Sequence, residues 1–170
     1  MRIVVAITAG LWAAASATAG EIRYTLTPQV EHGALNGIAV EMVLIGEADG
    51  ETAIELPDEW GGKSELWRGI SEFRVSGQGL KVDGGGSPAL KVLRHAPGAT
   101  LTVRYRGTQT WPGEPAVTGS NEYRPVIRPN YFHVIGWAMM ARPKWSLATP
   151  VALSFRGMPE GWQFASDLEH

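Results

Sequence analysis

The chain has 170 residues, 15 Lys and Arg against 17 Asp and Glu, a formal charge of −2, no cysteine, 21 glycines, 11 prolines and seven tryptophans. The basic residues are spread along the chain and no helix gathers them, which excludes a nucleic-acid binder of the polycationic kind. Disulfide staples and cysteine nucleophiles are excluded by composition, so the fold has to hold by packing alone, as a chain of this length can.

Residues 1–19 have the layout of a secretory signal peptide. Met1 and Arg2 give a positive start, residues 3–15 are apolar or small apart from Thr8, and Ala17-Thr18-Ala19 offers small side chains at a cleavage site. The mature chain is expected to begin near Gly20 and to be exported, into a bacterial periplasm or outside the cell. No later stretch reaches the roughly 18–20 apolar residues that span a bilayer, so no membrane span is expected after cleavage. Residues 20–167 read as one domain, and Leu168-Glu169-His170 as a tag remnant.

The mature chain shows period-two alternation and almost no helical periodicity. Ile22, Tyr24 and Leu26 alternate with Arg23 and Thr25. Residues 37–45 are almost continuously apolar, broken by Glu41, and predict a central strand covered on both faces. Residues 46–51 predict a turn and 52–56 a strand that Pro57 ends. Residues 64–75 predict an irregular segment running into a strand, and 80–82 a short strand. The glycine-rich stretch 83–87 predicts a tight turn, and 89–94 and 100–105 two strands joined at Ala96-Pro97-Gly98.

Residues 108–129 interrupt the pattern with Pro112, Gly113, Pro115, Gly119, Pro125 and Pro129. A loop this long in a compact domain is functional or mobile. Residues 131–139 return to strand-like sequence, 151–155 form the last clear strand, and Trp162 and Phe164 plug the end. The expectation is an all-β fold, a β-sandwich of about eight or nine mostly antiparallel strands preceded by the signal peptide.

Catalytic motifs are missing. His32, His95 and His133 have no second histidine at zinc-peptidase spacing, and a zinc site needs three or four convergent ligands. No Gly-x-Ser-x-Gly elbow occurs. Gly84-Gly85-Gly86-Ser87 lacks the lysine and helix of a phosphate loop. Asp58 and Glu59 are adjacent carboxylates in a turn, where neighbours point apart, whereas glycosidase acids face each other across a sugar. No catalytic residue, metal ligand or cofactor is therefore assigned to this chain.

The densest cluster is cationic and aromatic. Trp111, Arg124, Arg128, Tyr131 and His133 are the candidate binding residues, with Asn130, Trp137, Arg142, Lys144 and Trp145 around them. Such a surface suits a carboxylate, a glycan or a partner domain. The competing reading is that the rings pack the core and the arginines solvate its rim.

Two stretches carry a resemblance. One is Leu56-Pro57-Asp58-Glu59-Trp60-Gly61-Gly62. The other runs from Tyr131-Phe132-His133-Val134-Ile135-Gly136 through Arg142-Pro143 and Val151–Phe155 to Met158-Pro159-Glu160-Gly161-Trp162. Together they resemble the amino-terminal domain of glycyl-aminopeptidase-type zinc metallopeptidases. There, a β-rich domain with a Leu-Pro-x-Trp-x-Pro-Gly-like element precedes the zinc catalytic domain, and a PDZ domain usually follows. The resemblance covers most of residues 22–165 and departs at Gly61-Gly62, where the family has Pro-Gly. It includes none of the family's zinc ligands or its catalytic glutamate. It implies a non-catalytic accessory domain of an exported zinc aminopeptidase-like protein, packing on a downstream catalytic domain or shaping access to it. A stand-alone exported module binding a glycan or peptide is the alternative.

Overall fold

The computed structural model describes residues 20–112, 123–145, 148–163 and 165, together with the backbone of Val4–Ile7. The expectations for Gly113, Pro115, Gly119, Phe164 and residues 168–170 fall outside the described residues.

Alternation builds the first hairpin. β2 (Ile22–Glu31) and β3 (Ala34–Ile45) pair antiparallel through a turn at His32 and Gly33. Both turn residues have positive φ, 52° and 79°, as a mirror-image hairpin turn requires at its two central positions. His32 is thus a turn residue on the surface. Ile38, Val40, Met42 and Leu44 of β3 are buried, and Ala39, Glu41 and Val43 between them are half-buried. This corrects the expected double coverage of residues 37–45. The strand is central in its sheet, but its second face is open enough for Glu41 to meet Arg104 at 2.7 Å.

Around this hairpin stands a six-stranded sheet. Beyond β3 lie β8 (Thr100–Gly107) and then β5 (Ile70–Ser76). Beyond β2 lies β12 (Val151–Phe155), which runs parallel to it. β1 (Val4–Ile7) pairs in parallel with the outer side of β12. These four residues fall within the leader pattern of residues 1–19, and the chain nevertheless joins the sheet there. Val and Ile suit an extended backbone, and the outer side of β12 offers unpaired groups to it.

The second sheet has the order β11 (Arg142–Pro143), β4 (Glu51–Glu55), β7 (Leu90–Arg94), β6 (Lys81–Gly84). β7 and β8, joined at residues 96–98, therefore belong to different sheets. A two-stranded hairpin, β9 (Val126–Arg128) and β10 (Tyr131–His133), completes twelve strands among the described residues, against the eight or nine expected. The surplus is in short strands that carry too few residues to show a period. Residues 131–139 are not one strand: after β10 the chain forms α1 (Gly136–Met139), closed by Met140 N–H donating to Gly136 O at 2.7 Å. Trp, Ala and Met hold a helical turn where the β-branched run of Val134-Ile135 ends.

One hydrophobic core joins both larger sheets. Ile22, Tyr24, Leu26, Met42, Leu101 and Val103 of the first meet Ile54 and Leu93 of the second. His95 is buried at its rim. Its Nδ1–H donates to Ala96 O at 2.9 Å, so Nε2 accepts from the Thr52 hydroxyl, also at 2.9 Å, and that oxygen accepts from Glu47 N–H at 3.0 Å. His95 is a strut between turns, because each of its ring nitrogens is spent within the chain.

Candidate functional site

An exposed aromatic surface is built where β4 leaves its sheet. Leu56 N–H donates to Ala89 O at 2.7 Å, and Pro57 then blocks further pairing. Trp60 and Lys63 exchange both backbone hydrogen bonds at 2.9 Å across Gly61 and Gly62, whose φ values are 56° and 71°. Proline is locked near φ −65°, so the departure from Pro-Gly at this point follows from the shape of the turn. The ring of Tyr123 lies directly on Gly61, where a Cβ would collide with it. Arg124 reaches the same loop, donating to Ser64 O at 3.4 Å.

From the other side, α1 brings Trp137 over the loop. The indoles of Trp60 and Trp137 are near parallel, 9° apart with centroids 5.9 Å apart. The Arg142 guanidinium sits 4.3 Å from the Trp137 centroid and pairs with Glu55 at 2.7 Å, its register partner across β11 and β4. Trp60, Tyr123 and Trp137 remain 37%, 40% and 45% exposed. Large exposed rings gathered in this way make a candidate docking surface. Beside them opens a cleft of about 330 Å³, bordered by Glu55, Asp58, Glu59, Trp137, Met140 and Arg142.

Two buried phenols hold this surface to the main sheet. Tyr24 donates to Ala141 O at 2.8 Å. Tyr105 donates to Met139 O at 3.1 Å and accepts from Ala141 N–H at 2.9 Å. Residues 139–141, between α1 and β11, are thereby tied to β2 and β8. Burial pushes both phenols above the ordinary tyrosine range, and for Tyr24 the neighbouring Tyr105 adds to the rise while Arg142 opposes it.

The five candidate binding residues divide between the Trp60 loop and the β9–β10 hairpin. Arg124 joins the Trp60 loop. Trp111 is 8% exposed, with its indole N–H donating to Pro125 O at 3.3 Å, so it is a core anchor. Arg128 lies over that ring, 5.5 Å from its centroid. Tyr131 and His133 are exposed on β10, opposite Arg128 and Val126. The residues that make the aromatic surface are instead Trp60, Tyr123, Trp137 and Arg142, with Glu55 beneath. Their one sequence signal is the Trp-Gly-Gly stretch, which marks a turn but not the ring it meets.

The arrangement is suited to binding. Among the described residues no three His, Asp or Glu side chains converge as metal ligands. No described helix is long and apolar enough to cross a membrane.

No protein-family model and no curated protein matches this sequence. Its fold matches part of an aminopeptidase N family protein from Idiomarina loihiensis, with a TM-score of 0.61 and 16% identity over 81% of this chain. The match takes up 22% of that protein, so this chain spans about a fifth of its length. A mutant two-domain M1 zinc metallopeptidase bound to L-tryptophan aligns over 59% of this chain and 22% of its own, at 19% identity and a TM-score of 0.31, too loose to carry an argument. The likeness is one of fold alone.

Proposed function

We propose that this chain is a non-catalytic accessory domain of an exported zinc aminopeptidase-like protein. It packs against a catalytic domain, or shapes access to it, through the Trp60–Trp137–Arg142 surface. The observation that carries this reading is the fold match to one fifth of an aminopeptidase N family protein, joined to a β domain that exposes Trp60, Tyr123 and Trp137 together. The sandwich description and export led by residues 1–19 belong to the same reading. Its chemistry is recognition; a zinc ion and its hydrolysis would reside in the partner domain.

The direct test is to read the parent gene past Asp167. A downstream His-Glu-x-x-His is expected, and a stop codon or a downstream region without that motif refutes the reading. Detectable peptidase activity by this chain alone would refute its non-catalytic half.

The exposed indoles also suit a sugar-binding module. Against that, Trp137 already carries both an indole and a guanidinium from its own chain. Acrylamide quenching with and without polysaccharide separates the two, since a sugar site predicts that added polysaccharide protects Trp60 and Trp137.

A further inference from the structure

The free edges of the two larger sheets are not treated alike. At β5, Glu72 takes φ 53° and the register shifts between Ser71 and Arg74, a bulge that carries charges. β6 exposes Lys81 and Asp83, the latter ion-paired to Arg94 at 3.0 Å. β11 contains Arg142 and Pro143. Charge, proline and bulges are the devices by which proteins keep edge strands from pairing with other chains. β12, Val-Ala-Leu-Ser-Phe, has none of them: no charge, no proline, and unbroken register with β2 over all five residues.

That unguarded edge is the one Val4–Ile7 covers. The four residues pair with Ala152, Leu153, Ser154 and Phe155 in parallel and without a break. Removal after Ala19, as the leader pattern predicts, bares the edge again. The described core begins at Ile22, so the fold beneath the edge stays intact.

We infer that the outer edge of β12 is a strand-acceptor site, filled in the mature protein by an extended, uncharged, apolar segment of a partner polypeptide running parallel to β12. Val4–Ile7 holds the place of that segment. Backbone hydrogen bonds supply most of the affinity in such strand addition, and alternate side chains the selectivity. A second copy of this chain fits less well, because two β12 edges related by a two-fold axis perpendicular to the sheet run antiparallel. This inference rests on the export and leader removal of the proposed reading, and not on the identity of the domain that follows.

The test uses a fluorescent peptide of residues 2–9, the same peptide with Val5→Pro, the chain starting at Gly20, and the full chain with and without Val5→Pro. Proline locks φ near −65°, away from the roughly −120° of a parallel strand, and cannot donate to a ladder, so its peptide should bind about tenfold more weakly or worse. The expected result is saturable binding of the natural peptide to the Gly20 chain and to the full Val5→Pro chain, with slowed amide exchange over residues 151–155. The unaltered full chain should bind little, its edge being taken. Equal binding of both peptides, or no binding to either open-edged chain, overturns the proposal. Self-association of the Gly20 chain that protects 151–155 and excludes the peptide overturns the partner assignment.

Discussion

Replacing Tyr105 by Phe removes one oxygen and strands two backbone groups. The hydroxyl donates to Met139 O and accepts from Ala141 N–H, and both residues are at most 1% exposed, so water cannot take its place. A buried polar group left without a partner costs about 1–3 kcal/mol. Two such groups, less the relief of no longer burying the hydroxyl, give an expected loss of about 2–4 kcal/mol. Urea unfolding followed by tryptophan fluorescence reads this directly. With an m-value near 2 kcal/mol/M, the midpoint should fall by about 1–2 M. The loss should also reach the surface, because residues 139–141 connect Trp137 to Arg142, and acrylamide quenching should rise beyond what the wild type shows. Tyr24→Phe breaks one bond at the same strap and should cost about 1–2 kcal/mol. A Tyr105→Phe variant within about 0.5 kcal/mol of wild type, the scatter of a neutral surface change, would refute the strap argument.

Other outcomes follow from the same contacts. Burial raises both phenols above their ordinary value of about 10, so their contribution is complete below that pH and is lost as pH climbs towards the folded-state values. Stability should therefore fall above about pH 10, by up to about 2.7 kcal/mol per pH unit for the pair, and a flat urea midpoint between about pH 10 and 11 would contradict it. Gly46→Ala drives a methyl into the His95 ring, which cannot move without losing Thr52 and Ala96, and should cost about 2–3 kcal/mol in the same unfolding assay. Gly61→Pro meets a backbone at φ 56° that proline cannot adopt. It should weaken the coupled circular-dichroism signal of Trp60 and Trp137 and cost about 1–3 kcal/mol.

Alternation made the long strands legible. Ile22, Tyr24 and Leu26 announce β2, and Leu101, Val103 and Tyr105 announce β8, because period two over five or more residues is hard to produce otherwise. α1 was invisible, since four residues cannot display a helical period. The fate of each tryptophan was equally closed to inspection. Trp111 is buried because Pro125 offers its carbonyl and β9 its packing, while Trp137 is exposed because α1 turns it outward; nothing in either neighbourhood of sequence distinguishes the two. The Glu55–Arg142 pair depends on the register of β4 with β11, strands far apart in the chain, and register over long separations is set by packing. What the sequence did carry was turn chemistry, for Ala96-Pro97-Gly98 told where β7 ends and β8 begins, though not that the two strands would enter different sheets.

The parallel seam between β12 and β2 has a consequence in time. Thr25 and Ser154 touch at 3.0 Å across 129 residues of chain. The first strand of the domain thus waits for almost the last before its outer neighbour arrives, and such long-range closure makes folding slow. A polypeptide that cannot finish its main sheet until residue 155 has emerged stays threadable up to that point. For a protein proposed to cross a membrane before it folds, the seam acts as a delay.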